Sequence, residues 1–303
     1  MIKNFSQLLD TAKMQKKMRL AVAAAQDEEV LVAVTNASEL GIIEPVLVGD
    51  VEKIHEIAQE HHLSIDSFEM IDQKDLDEAA RTAVALVSSG KADFVMKGIL
   101  DTPILLKAVL DKEIGLRTDS QLSHVMVYQV PIYHKLLFLT DGGMNIAPTL
   151  EEKVKITKNA VQIAKAMGNE RIKVACLAAK EKIDPKMPAT IDAGQLKEMA
   201  NEGEFGENVL VDGPLAFDLA VSKEAAEIKK IDSEVAGDTD ILLVPTIEVG
   251  NGIGKALTYL ARADSAGIIM GAKVPIVLVS RADTHEAKLN SIALGSVIAA
   301  NRE

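Results

Sequence analysis

Residues 92–111 read ADFVMKGILDTPILLKAVLD. An apolar run, Phe94 to Met96, stops at Lys97-Gly98, and a second apolar stretch follows with Asp101 or Thr102 in place to cap it and Pro103 in its first turn. Asp and Thr satisfy the orphan N–H groups at a helix start, and Pro fits the first helical turn. The segment therefore reads as a buried strand, a polar turn and a helix.

The same order recurs outward from it. RLAVAAA (19–25), PVLVGD (45–50) and DSFEMID (66–72) read as strands, with helical patterns at 28–41, 51–62 and 75–90 between and after them. Downstream, RIKVACLAA, NVLVDG, DILLVPT, AGIIMGA and VPIVLVS read as further strands. Their helices are expected from about Ala193 to Glu202, from Pro214 to Lys230, from Gly252 to Ala263 and from Thr284 to Asn301. Strands alternating with helices of this length imply βαβ units and a largely parallel sheet, so the expected fold class is α/β. Two features break the rhythm. SHVMVYQVPIYHKLLFLTD (123–141) is too short around Pro131 for a parallel crossover and predicts an antiparallel hairpin. Thr149-Leu-Glu-Glu152 has the spacing of a capping box opening a long helix to Met167.

At 303 residues the chain suits two domains. The hairpin is the natural break. It predicts a first lobe of residues 1–125 rejoined by 268–303, and a second lobe of 126–267. The net charge of −12 and the absence of Trp argue against a nucleic-acid partner, which needs a basic stripe or a stacking platform. One cysteine excludes a disulfide framework and suits a reducing compartment. No apolar stretch reaches the roughly 20 residues of a membrane span. The basic, apolar start is followed at once by Gln26-Asp27-Glu28-Glu29 rather than a small-residue cleavage site, so a cytoplasmic location is expected.

Six polar clusters each follow an apolar run: Gly49-Asp50, Lys97-Gly98, Thr140-Asp141-Gly142-Gly143, Asp212-Gly213-Pro214, Pro245-Thr246 with Gly250-Asn251, and Ser280-Arg281-Ala282-Asp283. Ligands of open α/β sheets bind beyond the carboxyl ends of the strands. A small-molecule site is therefore expected.

The richest segment is Ser280 to Glu286. Asp283 reads as an N-cap with Glu286 completing a capping-box arrangement, a role that does not exclude catalysis. Arg281, beside a helix start, adds to the positive field of the helix dipole and suits a phosphate. Only Arg117 and Arg281 of the seven arginines fall in loops on the expected edge; Arg117 reads equally as a solvated loop charge. Gly250-Asn-Gly-Ile-Gly-Lys255 matches neither a Walker A loop nor GxGxxG, yet a glycine-rich turn opening a helix still offers N–H groups to an anion. Asp141 and Asp212 stand in strand-to-helix turns as metal ligands, caps or loop braces. Cys176 reads as a small buried hydrophobe. The six histidines show no zinc spacing, and no metal is expected.

The chain resembles the phosphate acetyl/butyryltransferase family, and more closely its butyryl branch. The matching segments are KGILDT (97–102), SHVMVY (123–128), TDGGMNIAP (140–148), VDGPLAFDLAVS (211–222), AGDTDILLVPTIEVGNGIGKAL (236–257) and KVPIVLVSRADT (273–284). The resemblance implies two α/β/α lobes with a cleft between them, a fold similar to isocitrate and isopropylmalate dehydrogenases, and a homodimer or higher homo-oligomer. It implies the reaction acyl-CoA + phosphate ⇌ acyl phosphate + CoA, with no cofactor beyond these substrates. It maps a family Ser-Arg pair onto Ser280 and Arg281, Ser lending a hydrogen bond to the reacting centre and Arg holding phosphate. The acetyl enzymes carry a catalytic Asp seven residues after that Ser, where this chain has Ala287. The base is then sought at Asp283 or Glu286. The remaining polar positions are the substrate-binding candidates: Lys97, Thr102, Arg117, Ser123, His124, Asp141, Asn145, Asp212, Gly213, Pro245, Gly250 and Asn251. Ile99, Leu100, Met144 and Ile146 are candidate lining for the acyl chain. A phosphate acetyltransferase is the alternative within the family. A hydroxy-acid dehydrogenase using NAD and a non-catalytic acyl-CoA-binding protein are the alternatives from other classes.

Overall fold

A computed structural model describes residues 1–280 and 283–302. The chain forms two compact units. Unit one comprises Phe5–Ser120 and the chain from Ala266 onward; unit two comprises Gln121–Ser265 with Met1–Asn4.

Unit one opens with α1 (Phe5–Met14), then β1 (Met18–Ala23), α2 (Glu28–Glu39), β2 (Ile43–Gly49), α3 (Val51–Glu60), β3 (Glu69–Asp72), α4 (Leu76–Ser88), β4 (Phe94–Lys97) and α5 (Thr102–Val109). Asp27, Asp50 and Asp75 each cap the helix that follows, their carboxylates accepting from the backbone N–H three residues on. Strand order is β3-β2-β1-β4, all parallel. The chain runs outward from β1 to β3 and then crosses back to β4, so the switch in order falls between β1 and β4. The return of the chain adds β10 (Asp264–Met270), β11 (Ile276–Val277) and α11 (His285–Ala300). β11 lies parallel to β4, and β10 antiparallel to β11. α11 packs against α1 and α2. It is buried nearly all round from Ala287 to Ile298, which explains an apolar pattern that shows no single face. Phe94, Met96, Leu20, Leu47 and Ile292 are fully buried in this unit, each burial stabilising by about 1.5–3 kcal/mol.

Unit two contains the hairpin β5 (Ser123–Gln129) and β6 (Leu137–Thr140), antiparallel as expected. Then come α6 (Leu150–Ala166), β7 (Ile172–Leu177), α7 (Pro188–Asn201), β8 (Val209–Leu215), α8 (Phe217–Val221), α9 (Lys223–Ile228), β9 (Ile241–Leu243) and α10 (Ile247–Tyr259). The capping box of Thr149 and Glu152 is present, with both reciprocal hydrogen bonds. Strand order is β5-β6-β9-β7-β8. β9 is parallel to both β6 and β7, and β8 is parallel to β7. The chain leaves β7 outward to β8 and returns to β9 on the other side of β7, so a second switch falls between β7 and β9.

Several boundaries differ from the sequence reading. α7 begins at Pro188 rather than near Ala193, because Pro188 supplies a helix start. The expected helix from Pro214 to Lys230 is two short helices. Ser222 takes extended backbone between them, and its hydroxyl accepts from Ala225 N–H to cap the second. Asp212-Gly213-Pro214 belongs to β8 and is not a strand-to-helix turn. α10 begins at Ile247, so the Gly250–Lys255 stretch is helix and not a turn before one. The cap of α11 is Thr284, whose hydroxyl accepts from Ala287 N–H, and not Asp283. α1 has no counterpart in the reading; its buried Phe5, Leu8 and Ala12 lie at helical spacing in a stretch weighed as a leader. Among the described residues no helix is long and apolar enough to cross a membrane.

Candidate active site

In unit one the carboxyl ends of β1 and β4 meet at the switch in strand order. Gly98 presses onto the end of β1: a Cβ there would lie 2.0 Å from Ala24 O, so only glycine fits. Gly98 N–H and Ile99 N–H donate to Ala23 O and Ala24 O at 2.8 and 2.9 Å. Lys97 is buried, and its Nζ donates to the carbonyls of Gly98 and Leu100, 3.1 Å each. The ammonium thus holds the turn that leads to Asp101 and Thr102. Leu100 is fully buried in the core and cannot form a pocket wall, whereas Ile99 remains accessible.

Next to β4, the chain after β11 forms the segment that carries Ser280 and Asp283. Ser280 N–H donates to Asp283 Oδ2 at 2.8 Å, and Asp283 N–H donates to Ser280 O at 3.1 Å. This reciprocal pair fixes the two residues face to face. Arg281, expected to hold phosphate, lies outside the described residues. Beneath the turn, Lys288 is almost fully buried and its Nζ donates to Asp283 O. No carboxylate lies within ion-pairing reach of that ammonium among the described residues. Glu286 is exposed; its own backbone N–H, then the Thr284 hydroxyl, hold its carboxyl below the usual range, with a smaller contribution from His285. His285 sits between two carboxylates, Nε2 at 2.9 Å from Glu286 and Nδ1 at 3.4 Å from Glu29 of α2. Arg117 is exposed, in a segment tied by Thr118 Oγ1 to Gly271 O at 2.5 Å and by Lys273 N–H to Leu116 O at 2.8 Å.

In unit two Asp141, 2 % exposed, follows β6 and organises its surroundings. Oδ1 accepts from Gly143 N–H (2.8 Å) and Met144 N–H (2.9 Å), and Oδ2 from His124 N–H (3.0 Å) and Asn145 Nδ2 (2.6 Å). Four donors use its acceptor capacity, so Asp141 is a brace rather than a metal ligand or a base. Asn145 is equally engaged, with Leu122 O at 2.9 Å and Gln121 Nε2 at 2.7 Å. Ser123 is fully buried, its Oγ accepting from Asn159 Nδ2 at 2.8 Å. The structure thus brings Ser123, His124, Asp141 and Asn145 into one network. Ile146 stands 69 % exposed.

A second cluster surrounds the switch between β7 and β9. Cys176 and Leu177 end β7, Leu243 ends β9 with Val244-Pro245 after it, and Ala189, Ala193 and Leu196 face them from α7 around a cavity of about 10 Å³. Lys153 and Asp192 also line it and pair with each other, 2.5 Å apart. Gly213 packs behind it: a Cβ there would meet Cys176 Cβ at 2.7 Å and Ala193 Cβ at 3.1 Å. Asp212 pairs with Lys197 at 2.7 Å. Burial first, and Asp212 second, push the Cys176 thiol up to about 12, so it is neutral and unreactive near pH 7. Among the described residues no group of His, Cys, Asp or Glu has the proximity to hold a metal ion.

Sequence reading missed Lys288, Lys153, Asp192 and the Glu29–His285–Glu286 set. A lysine in a helix pattern looks like a solvated face, and only the packing of α6 and α11 shows that these two are buried.

Strand-order switches at carboxyl ends, a Ser–Asp turn over a buried ammonium and a small cavity lined in part by Lys153 and Asp192 are the framework of a small-molecule site. Comparison with known proteins specifies the class. The family described as "Phosphate acetyl/butaryl transferase" matches residues 4–81 and 73–296. A phosphate butyryltransferase of Clostridium acetobutylicum is 46 % identical over 302 residues, covering 100 % of both chains. A phosphate acetyltransferase of Thermotoga maritima is 45 % identical over 284 residues, covering 94 % of this chain and 96 % of its own. The crystal structure of a branched-chain phosphotransacylase from Enterococcus faecalis V583 superposes with a TM-score of 0.82 at 34 % identity, covering 93 % of this chain and 99 % of that one. The chain belongs to the phosphate acetyl/butyryl transferase family.

Proposed function

We propose that this protein interconverts acyl-CoA and phosphate with acyl phosphate and CoA, with a preferred acyl group of four carbons, linear or branched to C5. The full-length likeness to the Clostridium acetobutylicum phosphate butyryltransferase carries the reading. The Enterococcus faecalis relative supports it and leaves linear and branched chains both open.

In the direction of acyl-CoA formation, the CoA sulfur attacks the acyl-phosphate carbonyl. The S–C bond forms, the C–O bond to phosphate breaks, and inorganic phosphate leaves. The thiol proton must go to a base, because a thiol of pKa near about 8.5 is mostly protonated at neutral pH. Asp283 takes that role, standing in the turn with one carboxylate oxygen accepting from Ser280 N–H. Glu286 is the poorer base, since its carboxyl is held below the usual range. The Ser280 hydroxyl donates to the oxygen that gains charge in the tetrahedral intermediate. The family resemblance gives Arg281 the phosphoryl group to hold, a task suited to its bidentate fork, and the buried Lys288 ammonium, donating to Asp283 O, adds positive charge to the turn. Alignment of two bound substrates supplies much of the remaining rate.

The likeness to the Thermotoga maritima phosphate acetyltransferase favours acetyl as the second reading. Free-thiol release from acetyl-, butyryl-, isobutyryl- and isovaleryl-CoA, with and without phosphate, decides between them. The proposal expects phosphate-dependent release with butyryl-CoA or a branched chain as best substrate. Best kcat/KM for acetyl-CoA selects the acetyltransferase, and no phosphate-dependent release from any of the four rejects both.

A further inference from the structure

We infer that Lys288 is a positioning residue for the reaction: it fixes the main chain of Asp283, and with it the carboxylate that takes the thiol proton, to the buried body of α11. This rests on the base role proposed for Asp283 above and deepens it.

Connectivity is the first argument. Thr284 caps α11, and the helix ladder begins with Lys288 N–H donating to Thr284 O at 3.1 Å. Asp283 stands before the cap, so its carbonyl lies outside that ladder. Ser280 and Asp283 hold each other, Ser280 N–H donating to Asp283 Oδ2 at 2.8 Å and Asp283 N–H to Ser280 O at 3.1 Å. Those two bonds set the geometry within the pair and not its place on the core. Lys288 Nζ supplies the place, donating to Asp283 O from the end of the first helical turn. The helix that carries it is firmly seated. A Cβ on Gly295 would lie 2.8 Å from Phe94 Cε2 and 3.0 Å from Val277 Cγ2, so α11 rests directly on β4 and β11. Ser291 Oγ accepts from Gly267 N–H of β10 at 2.9 Å and donates to Ala287 O at 2.7 Å.

Energetics is the second. Lys288 is 3 % exposed, and no carboxylate pairs with it among the described residues. A buried ammonium without a counter-charge opposes folding, and an apolar side chain of similar length fills such a site without that penalty. The fold alone therefore favours methionine at this position. What the ammonium adds is a donor at Asp283 O and positive charge at the turn.

The test is Lys288→Met, alone and combined with Asp283→Asn. Measured are kcat and KM for the best acyl-CoA and for phosphate, by free-thiol release, and the urea midpoint. Lys288→Met is expected to lower kcat about 10- to 100-fold, as misplacement of a reacting group does, with both KM values changed less than about threefold. Its urea midpoint is expected to equal or exceed that of the unaltered protein. In the Asp283→Asn background the same substitution is expected to change kcat less than about twofold, because the group it positions is gone. A Lys288→Met protein that does not fold, or whose midpoint falls, makes Lys288 a support of the fold and overturns the inference. An unchanged kcat, a rise in phosphate KM alone, or equal losses in the two backgrounds overturns it as well, and each leaves acyl transfer intact. Full turnover by Asp283→Asn removes the base role and the inference with it. No phosphate-dependent thiol release by the unaltered protein removes the acyl-transfer reading itself.

Discussion

Gly142 and Gly250 meet backbone to backbone. A Cβ on Gly250 would lie 2.6 Å from Gly142 Cα, and one on Gly142 would lie 2.7 Å from Gly250 C. The loop after β6 therefore rests directly on α10, and the Asp141 brace is held from below by that contact. Gly250 and Gly254 serve packing within a helix rather than a phosphate-cradling turn.

Gly250→Ala and Gly142→Ala are expected to destabilise by about 1–3 kcal/mol, since backbone must shift to make room. Gly252, in the same helix with nothing within 4 Å of its Cβ position, is the contrast. Gly252→Ala is expected to stabilise by roughly 0.5–1 kcal/mol, from the better helix propensity of alanine. Urea unfolding of the three variants measures this. Equal effects at Gly250 and Gly252 would show that the close contact is absent in solution.

The order of strands and helices was legible because apolar runs and caps are local signals. The hairpin around Pro131 and the Thr149–Glu152 box followed from spacing alone. The misses share a cause: tertiary contacts decided them. Ser222 breaks a pattern that is helical on either side. Thr284 and Asp283 are both capping residues, and Asp283 loses the cap because Ser280 N–H engages its carboxylate. Asp212 to Pro214 look like a turn by composition but continue β8 beside β7. Of the site, polar residues at strand ends were visible. The cavity between β7, β9 and α7 was not, because its residues are spread from Lys153 to Pro245.

Asp283 and Glu286 separate by pH. If Asp283 is the base, Asp283→Asn flattens the acid limb of the kcat/KM profile and lowers the maximum by 10²–10⁴-fold, the usual range for general-base loss. Glu286→Gln keeps both limb and maximum within about twofold. The reverse pattern assigns the base to Glu286. Wild-type profiles in both variants place the proton acceptor elsewhere.

Cys176 is the only thiol in the chain, so its reactivity reads directly. With burial raising it to about 12, alkylation by iodoacetamide at pH 8 is expected to be at least about 100-fold slower in the folded protein than in urea. Cys176→Ala is expected to keep phosphate-dependent turnover of acetyl-CoA. Fast labelling of the folded protein would mean that the wall behind the cavity opens.

The sharpest acid sensitivity is expected at the opposite edge of unit two's strands. Asp238 receives Lys173 Nζ at 2.5 Å, Lys135 Nζ at 2.9 Å and His134 Nε2 at 2.7 Å, while Lys135 also pairs with Asp240 at 2.7 Å. Burial alone would raise the Asp238 pKa, but Lys173, Lys135 and His134 together hold it well below the usual carboxylate range. The unfolded chain restores a value near about 3.9. A carboxyl whose pKa is lower folded than unfolded binds protons more tightly unfolded. Its stabilisation is present above about pH 4 and is lost as pH falls toward its folded pKa. Asp111 acts the same way in unit one, lowered to about 2 by the N–H groups of Ile114 and Glu113 and then by Arg81. Asp238→Asn is expected to lower stability at pH 7 by about 1–2 kcal/mol, discounted because the carboxylate is partly exposed. At pH 3 the same substitution is expected to cost less, because protonation has already removed part of the charge advantage. Urea midpoints of the two proteins between pH 7 and pH 3 measure the gap. A gap that stays constant, or widens as pH falls, would mean that the lysines do not hold Asp238 in its charged form.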